Sequence, residues 1–301
     1  VAGQVNLVNT GSAVLNFWDG AAGPKFNGAV DGGSGVWQAA GGDNWADMSG
    51  AVNAPYDNGA FAILAGTAGT VTIDNGPGAV TASGLQFASS GYTITGDALT
   101  LTGPQSVVRV GDGSAAGAGY VATIAAAITG NTQLVKTDLG DLQLTGANSY
   151  TGGTAINGGT LRIVGDGNLG AATGGIRFAG GTLRTTAGMS SARTVDLAGQ
   201  GAFSTDAGTT LALTGGVTGA GLLGKAGAGT LVLAGTGSYT GGTDVTQGML
   251  LVNGNYAAAT GRVNVAAATT LGGTGTIGGD VNLAGTLAPG GDGAGTPRDY
   301  G

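Results

Sequence analysis

Apolar side chains recur at every second position along most of the chain. Leu142 and Leu144, Leu161 and Ile163, Ile176 and Phe178, and Val195 and Leu197 alternate with small or polar residues. Leu211 and Leu213, Leu231 and Leu233, Leu250 and Val252, and Val263 and Val265 continue the series. A period of two, bounded by Gly, Asn, Asp or Thr, is the pattern of a short strand with one buried face. After residue 120 no helical stripe appears, apart from a weak one at Val121–Ile128, whose alanines allow one short turn.

The strands belong to a repeat. Residues 134–163 align without a gap on residues 223–252, with 14 identities in 30 positions, and Ser149 to Thr154 reappear as Ser238 to Thr243. Gapless repetition requires both copies to follow the same path in space. Looser echoes occur at 91–101, 174–185 and 272–289. Short strands at about ten-residue spacing suit a sandwich, a propeller or a solenoid. The very short turns and recurring echoes favour a solenoid. The expectation is an all-β, right-handed parallel β-helix of roughly a dozen rungs. Rungs stacked about 4.8 Å apart would make it about 60 Å long.

Composition removes most chemistry. The chain holds 67 glycines in 301 residues, no Cys and no His; all 17 acidic residues are Asp. Glycine supplies the positive φ and close approach that tight corners need. Without Cys or His there is no zinc site of the usual kind, no disulfide and no Cys–His or Ser–His nucleophile. The net charge of −7 argues against nucleic acid or anionic lipid as a partner. No apolar run is long enough for a membrane helix, so no span is expected in this piece. No metal or other cofactor is expected.

Within the repeat, Lys225–Val252 fits the pattern K-x-G-x-G-x-L-x-L-x-G-x-x-x-Y-T-G-G-T-x-[IV]-x-x-G-x-L-x-[IV]. Lys136–Ile163 matches it, except that Asp138 replaces the first glycine. This pattern resembles the passenger-associated transport repeat of bacterial autotransporters (type V secretion). The stretches Trp18–Gly20, Asn44–Trp45, 69–75, 84–103 and 272–291 are also similar to autotransporter passengers. The resemblance implies a β-helical passenger exported by its own C-terminal outer-membrane β-barrel in the precursor. It implies a place on the bacterial cell surface or in the secreted fraction. The function expected is a non-enzymatic adhesin or structural stalk whose repeats support export and folding outside the cell. A host cell surface, matrix protein or glycan would be the partner.

Residues 1–60 differ from 61–295, which carry the repeats, and 296–301 break the pattern as a tail or linker. All three tryptophans, Trp18, Trp37 and Trp45, fall in the first segment with Tyr56, Asp43 and Asp47. One reading is a cap over the open first rung. The other is a ligand platform, in which exposed Trp and Tyr stack on sugar rings and Asp accepts from hydroxyls. In the repeats, Lys136 and Lys225 are expected to blunt an exposed strand or edge. Tyr150 and Tyr239 are expected to pack at a corner with the hydroxyl on a backbone carbonyl. Gly152, Gly153, Gly241 and Gly242 complete the structural set.

Paired Asp residues are the remaining catalytic candidates: Asp43 with Asp47, Asp138 with Asp141, and Asp74 with Asp97, whose spacing suits neighbouring rungs. An inverting glycosidase needs two carboxyls about 6.5–9.5 Å apart. The strong repeat does not keep these acids, since Asp138 aligns with Gly227 and Asp141 with Thr230. Two matches to G-x-G-x-x-G, at Gly165 and Gly273, open no helix and read as turns. A polysaccharide-degrading β-helix enzyme, or a spacer block whose active part lies outside this chain, is the alternative.

Overall fold

The computed structural model describes residues 15–290, which divide after Gly153 into two compact units. In both units the alternating segments are short strands, and each pairs in parallel with a strand one rung away.

In the first unit, one ladder runs through Leu15–Trp18, Phe61–Leu64, Gly84–Phe87, Gln105–Val110 and Gln133–Thr137. A second holds Gly35–Gln38, Thr70–Asp74, Thr93–Gly96, Val121–Ile124 and Asp141–Leu144. A short third holds Thr81–Ala82, Leu99–Leu101 and Ile128–Thr129. The Val121–Ile128 stretch therefore opens as the strand Val121–Ile124 and closes on the start of Ile128–Thr129, with no helical turn. Register decides this, because Ile124 stacks between Ile94 and Leu144 and all three are buried.

In the second unit the longest ladder has seven strands, from Thr160–Ile163 to Val281–Leu283. A six-strand ladder runs from Met189–Ser191 to Thr286–Pro289. A shorter ladder runs from Thr154–Ile156 to Val217–Gly219. Each unit is thus a β-solenoid. Rungs are about twenty residues long: Leu211 lies opposite Leu231, a step of 231 − 211 = 20, and Val71 opposite Ile94, a step of 94 − 71 = 23.

The core is a set of columns. Leu211, Leu231, Leu250 and Leu271 stack in register, all within 1 % exposure, while Thr210, Thr230 and Thr270 face outward beside them. Each fully buried Leu contributes about 1.5–3 kcal/mol. The column closes only where successive rungs repeat the same parity, which is why alternation is strict in this sequence.

The glycine pair of the repeat has two separate jobs. A methyl group on Gly241 would collide with the backbone of Gly221 on the rung before, and one on Gly152 would sit 2.5 Å from Gln133 N. Their neighbours Gly242 and Gly153 hold φ of 88° and 79°, in the left-handed region that other residues avoid. The first glycine permits close approach and the second turns the corner.

Residues 15–60 form the first rung with two excursions. Leu15–Trp18 pairs residue for residue with Phe61–Leu64 on one side. On its other side lies the antiparallel pair Trp45–Ala46 and Asn53–Ala54. This rung returns to the ladder at Phe61–Leu64. The expected tail, 296–301, lies outside the described residues.

Gly241→Ala and Gly242→Ala are each expected to lower stability by about 1–3 kcal/mol, the first through overpacking and the second through a left-handed backbone. Urea unfolding followed by circular dichroism checks both. A midpoint unchanged from wild type for either variant would contradict the corner geometry.

Candidate functional site

The aromatic residues of the first segment come together, but inside the protein. Trp18, Trp37, Trp45 and Tyr56 are 0, 0, 2 and 4 % exposed. Their rings meet edge to face, with centroids 5.1 Å apart for Trp18 and Trp45, 4.9 Å for Trp37 and Trp45, and 5.0 Å for Trp37 and Tyr56. Trp18 Nε1 donates to Gly33 O (2.7 Å) and the Tyr56 hydroxyl to Ala60 O (2.7 Å). A sugar-stacking platform needs open ring faces, and these rings are packed against one another as core. The platform reading is corrected on this point.

The acidic candidates sit apart from the rings. Asp43 is exposed. Asp47 is exposed too, and its carboxylate accepts from Ser49 Oγ (2.6 Å), Ala51 N (3.1 Å) and Val52 N (3.2 Å). The Ser49 hydroxyl, followed by the backbone donors, holds its pKa below the ordinary carboxylate value. Asp74 and Asp97 do lie at the same corner of adjacent rungs, since Ile73 pairs with Gly96. Asp74 accepts from Gly76 N and Gln38 Nε2, and Asp97 from Asn75 N. These carboxylates bind turn donors, which explains their place beside Gly and Asn. Among the described residues, no three potential ligands gather in a metal-binding group.

The repeat lysines are not where the sequence placed them. Lys136 and Lys225 are fully buried, at inward positions of their strands. Lys225 Nζ donates to the carbonyls of Ala226 (2.7 Å), Gly227 (2.7 Å) and Gln247 (3.0 Å). Lys136 Nζ donates to those of Thr137 (2.8 Å) and Asp138 (3.2 Å). They tie corner carbonyls from within rather than blunting an edge. Burial pulls Lys136 down to about 7, against the raising effect of Asp138 and Asp141, and Lys225 down to about 8. Tyr150 and Tyr239 are buried as expected, but the Tyr239 hydroxyl meets Thr243 Oγ1 (2.6 Å), a side chain rather than a carbonyl.

Asp138 shows how a departure from the repeat is accommodated. It keeps the left-handed backbone of its glycine counterpart (φ 65° against 70° at Gly227). Its buried carboxylate binds Arg109 Nε (2.9 Å), Gly113 N (3.0 Å) and Leu139 N (2.8 Å). Gly113 belongs to an excursion, 111–120, that leaves the ladder after Gln105–Val110.

Excursions mark the surface most able to make contacts. In the first unit the connections between the first and second ladders are residues 19–34, 65–69, 88–92, 111–120 and 138–140. The matching connections of the second unit, such as 157–159, 179–181, 198–200 and 220–222, have three residues each. Insertions in a solenoid collect on one face, often the binding face. The longest at this corner, 19–34, is held by a buried carboxylate. The Asp19 carboxylate, 0 % exposed, accepts from Asp31 N (3.0 Å) and Asn53 Nδ2 (2.7 Å). Lys25 Nζ folds back onto the carbonyls of Asp19 and Gly20. Sequence reasoning missed this corner, although unequal spacing between alternating segments signals it.

A solenoid with lysine-tied corners and a Tyr–Thr–Gly–Gly–Thr turn matches the Passenger-associated-transport-repeat model at residues 134–163 and 223–252. The chain belongs to the passenger domains of autotransporters. Its similarity to a named protein is extensive: it is 55 % identical over 253 residues to the adhesin BmaC autotransporter of Brucella suis biovar 1 (strain 1330). That alignment takes in 84 % of this chain and 7 % of the relative, so the chain spans a small fraction of that protein's length. No solved structure matches the chain.

Trp45→Ala is expected to cost about 3–5 kcal/mol of stability, as deletion of a buried core ring does; a near-native urea midpoint would return the ring to the surface. Lys225→Met should cost about 1–3 kcal/mol at neutral pH, because buried carbonyls lose a charged donor. The pH dependence follows from the lowered lysine values. Between about pH 8 and the ordinary 10.5 the unfolded chain keeps protons that the folded chain has released. Stability from this source therefore rises with pH from about 8 to 10. Above pH 10 buried tyrosines oppose it, since Tyr92 is raised to about 12. Unfolding free energies across pH 7–10 check the slope, which Lys225→Met should diminish.

Proposed function

We propose that this chain is a non-enzymatic part of an adhesin passenger, displayed on the bacterial surface or released from it. The precursor's own C-terminal barrel would export it. The solenoid is the scaffold, and the excursion corner of the first unit makes the contacts with a host surface, matrix protein or glycan. The observation that carries the reading is the corner between the first and second ladders of the first unit, whose connections 19–34 and 111–120 are long, while the connections at the matching corner of the second unit have three residues. The engagement of Asp47, Asp74 and Asp97 in turn hydrogen bonds supports the non-enzymatic side of it. The relative's name, an adhesin, agrees. A spacer role is the second reading, favoured by the small share of the relative that the chain spans.

Beads coated with the chain are expected to adhere to cultured host cells, and free chain to compete with them. Replacing residues 111–120 by a three-residue turn should reduce adhesion and leave the circular dichroism spectrum unchanged. Coated beads that adhere no better than albumin-coated ones would favour the spacer.

A further inference from the structure

Phe26, Met48 and Val52 are 60, 79 and 58 % exposed, the three most exposed among the large apolar side chains of the described residues. They stand on two loops joined to each other. Phe26 N donates to Asn53 Oδ1 (2.6 Å) and Gly28 N to Gly50 O (3.1 Å). Gly50 approaches Ala29 so closely that a methyl group would collide with its backbone.

Phe26 also holds a backbone that a bulky aromatic normally avoids, with φ of 58°. Such a conformation persists only where its surroundings impose it. Here Asn53 imposes it: Oδ1 takes the Phe26 amide, and Nδ2 is anchored to the buried Asp19 carboxylate. A hydrogen-bond relay from the interior thus ends at the backbone of a phenylalanine whose side chain is exposed. Core packing gives no reason to pay strain for an exposed phenyl group.

We propose that Phe26, with Met48 and Val52 on the loop hydrogen-bonded to its own, is the contact point for a protein partner whose apolar pocket takes one aromatic ring and whose rim is cationic. This rests on the adhesin reading and names its partner class. Charge selects the occupant. Asp43, Asp47 and Asp57 are exposed in the same excursions, while Lys25 is turned onto the Asp19 and Gly20 carbonyls. Acidic side chains on these excursions repel anionic lipid and complement a basic rim. Aliphatic neighbours such as Met48 and Val52 suit a hydrophobic pocket better than the hydroxyl-rich edge of a sugar. A fixed aromatic in a pocket is a common interface anchor.

The test measures binding of the full chain to immobilised purified matrix proteins, a neutral-glycan array, and vesicles of phosphatidylcholine and phosphatidylserine. Phe26→Ala, Phe26→Gly and, as a control elsewhere on the surface, Val36→Thr accompany the wild type. The expected result is saturable wild-type binding to a matrix protein, weakened by salt. Both Phe26 variants should lose at least about tenfold in affinity, and Val36→Thr should keep it. Phe26→Gly should melt at or above the wild-type temperature, because glycine accepts the left-handed backbone; this separates lost contact from lost fold. Phe26 variants that bind within twofold of wild type overturn the proposal and leave the adhesin reading standing. Binding to glycans or vesicles without matrix protein overturns the protein partner alone. No binding by wild type to any probe or to host cells overturns the adhesin reading, and the proposal with it.

Discussion

Everything in either unit depends on the requirement that a rung's backbone lie about 4.8 Å from the next along all of its ladders at once. Parallel ladders satisfy the main-chain groups only where the path repeats. Inward side chains must therefore stack on their equivalents, as Leu211, Leu231, Leu250 and Leu271 do. Corners must turn without lifting the chain away from its neighbour. The abundance of glycine answers that demand: Gly241 lets two backbones touch, and Gly242 changes direction immediately after.

The same requirement explains the buried lysines. At a corner the carbonyls point out of the ladder and lose their partners, yet there is no room for a capping loop. A long side chain rising from an inward position can reach them from inside, as Lys225 does with three carbonyls. Desolvating an ammonium is costly, and several acceptors around one Nζ offset that cost. Asp138 solves a related problem differently, keeping a glycine's conformation and holding Arg109 and the 111–120 excursion with its carboxylate.

Much of the fold was legible because alternation and gapless repetition report directly on parity and path. Leu161–Ile163 and Leu231–Leu233 needed only their period to be placed, and the repeat disclosed the solenoid. What failed to show was the environment of residues whose type contradicts their position. Lys225 occupies the inward parity of its strand, two residues after Leu223, but its charge argued for solvent. Trp37 and Trp45 are spaced by a loop, so no period revealed that their rings meet. Phe26, in a Gly–Pro–Lys–Phe–Asn–Gly segment, carries no period at all; only the fold shows that Asn53, distant in sequence, fixes its backbone.

Stacking by nearest neighbours alone has a mechanical consequence. A pull on the chain at the end of a unit loads the outermost rung first, and its hydrogen bonds open in sequence like a zip rather than sharing the force. Each rung that detaches frees about twenty residues, on the order of 70 Å of extensible chain. The rungs beneath keep their columns and lysine ties, since a solenoid repeat leans only on its neighbours. Under tension such a protein lengthens in steps and keeps a template on which the lost rung can re-form.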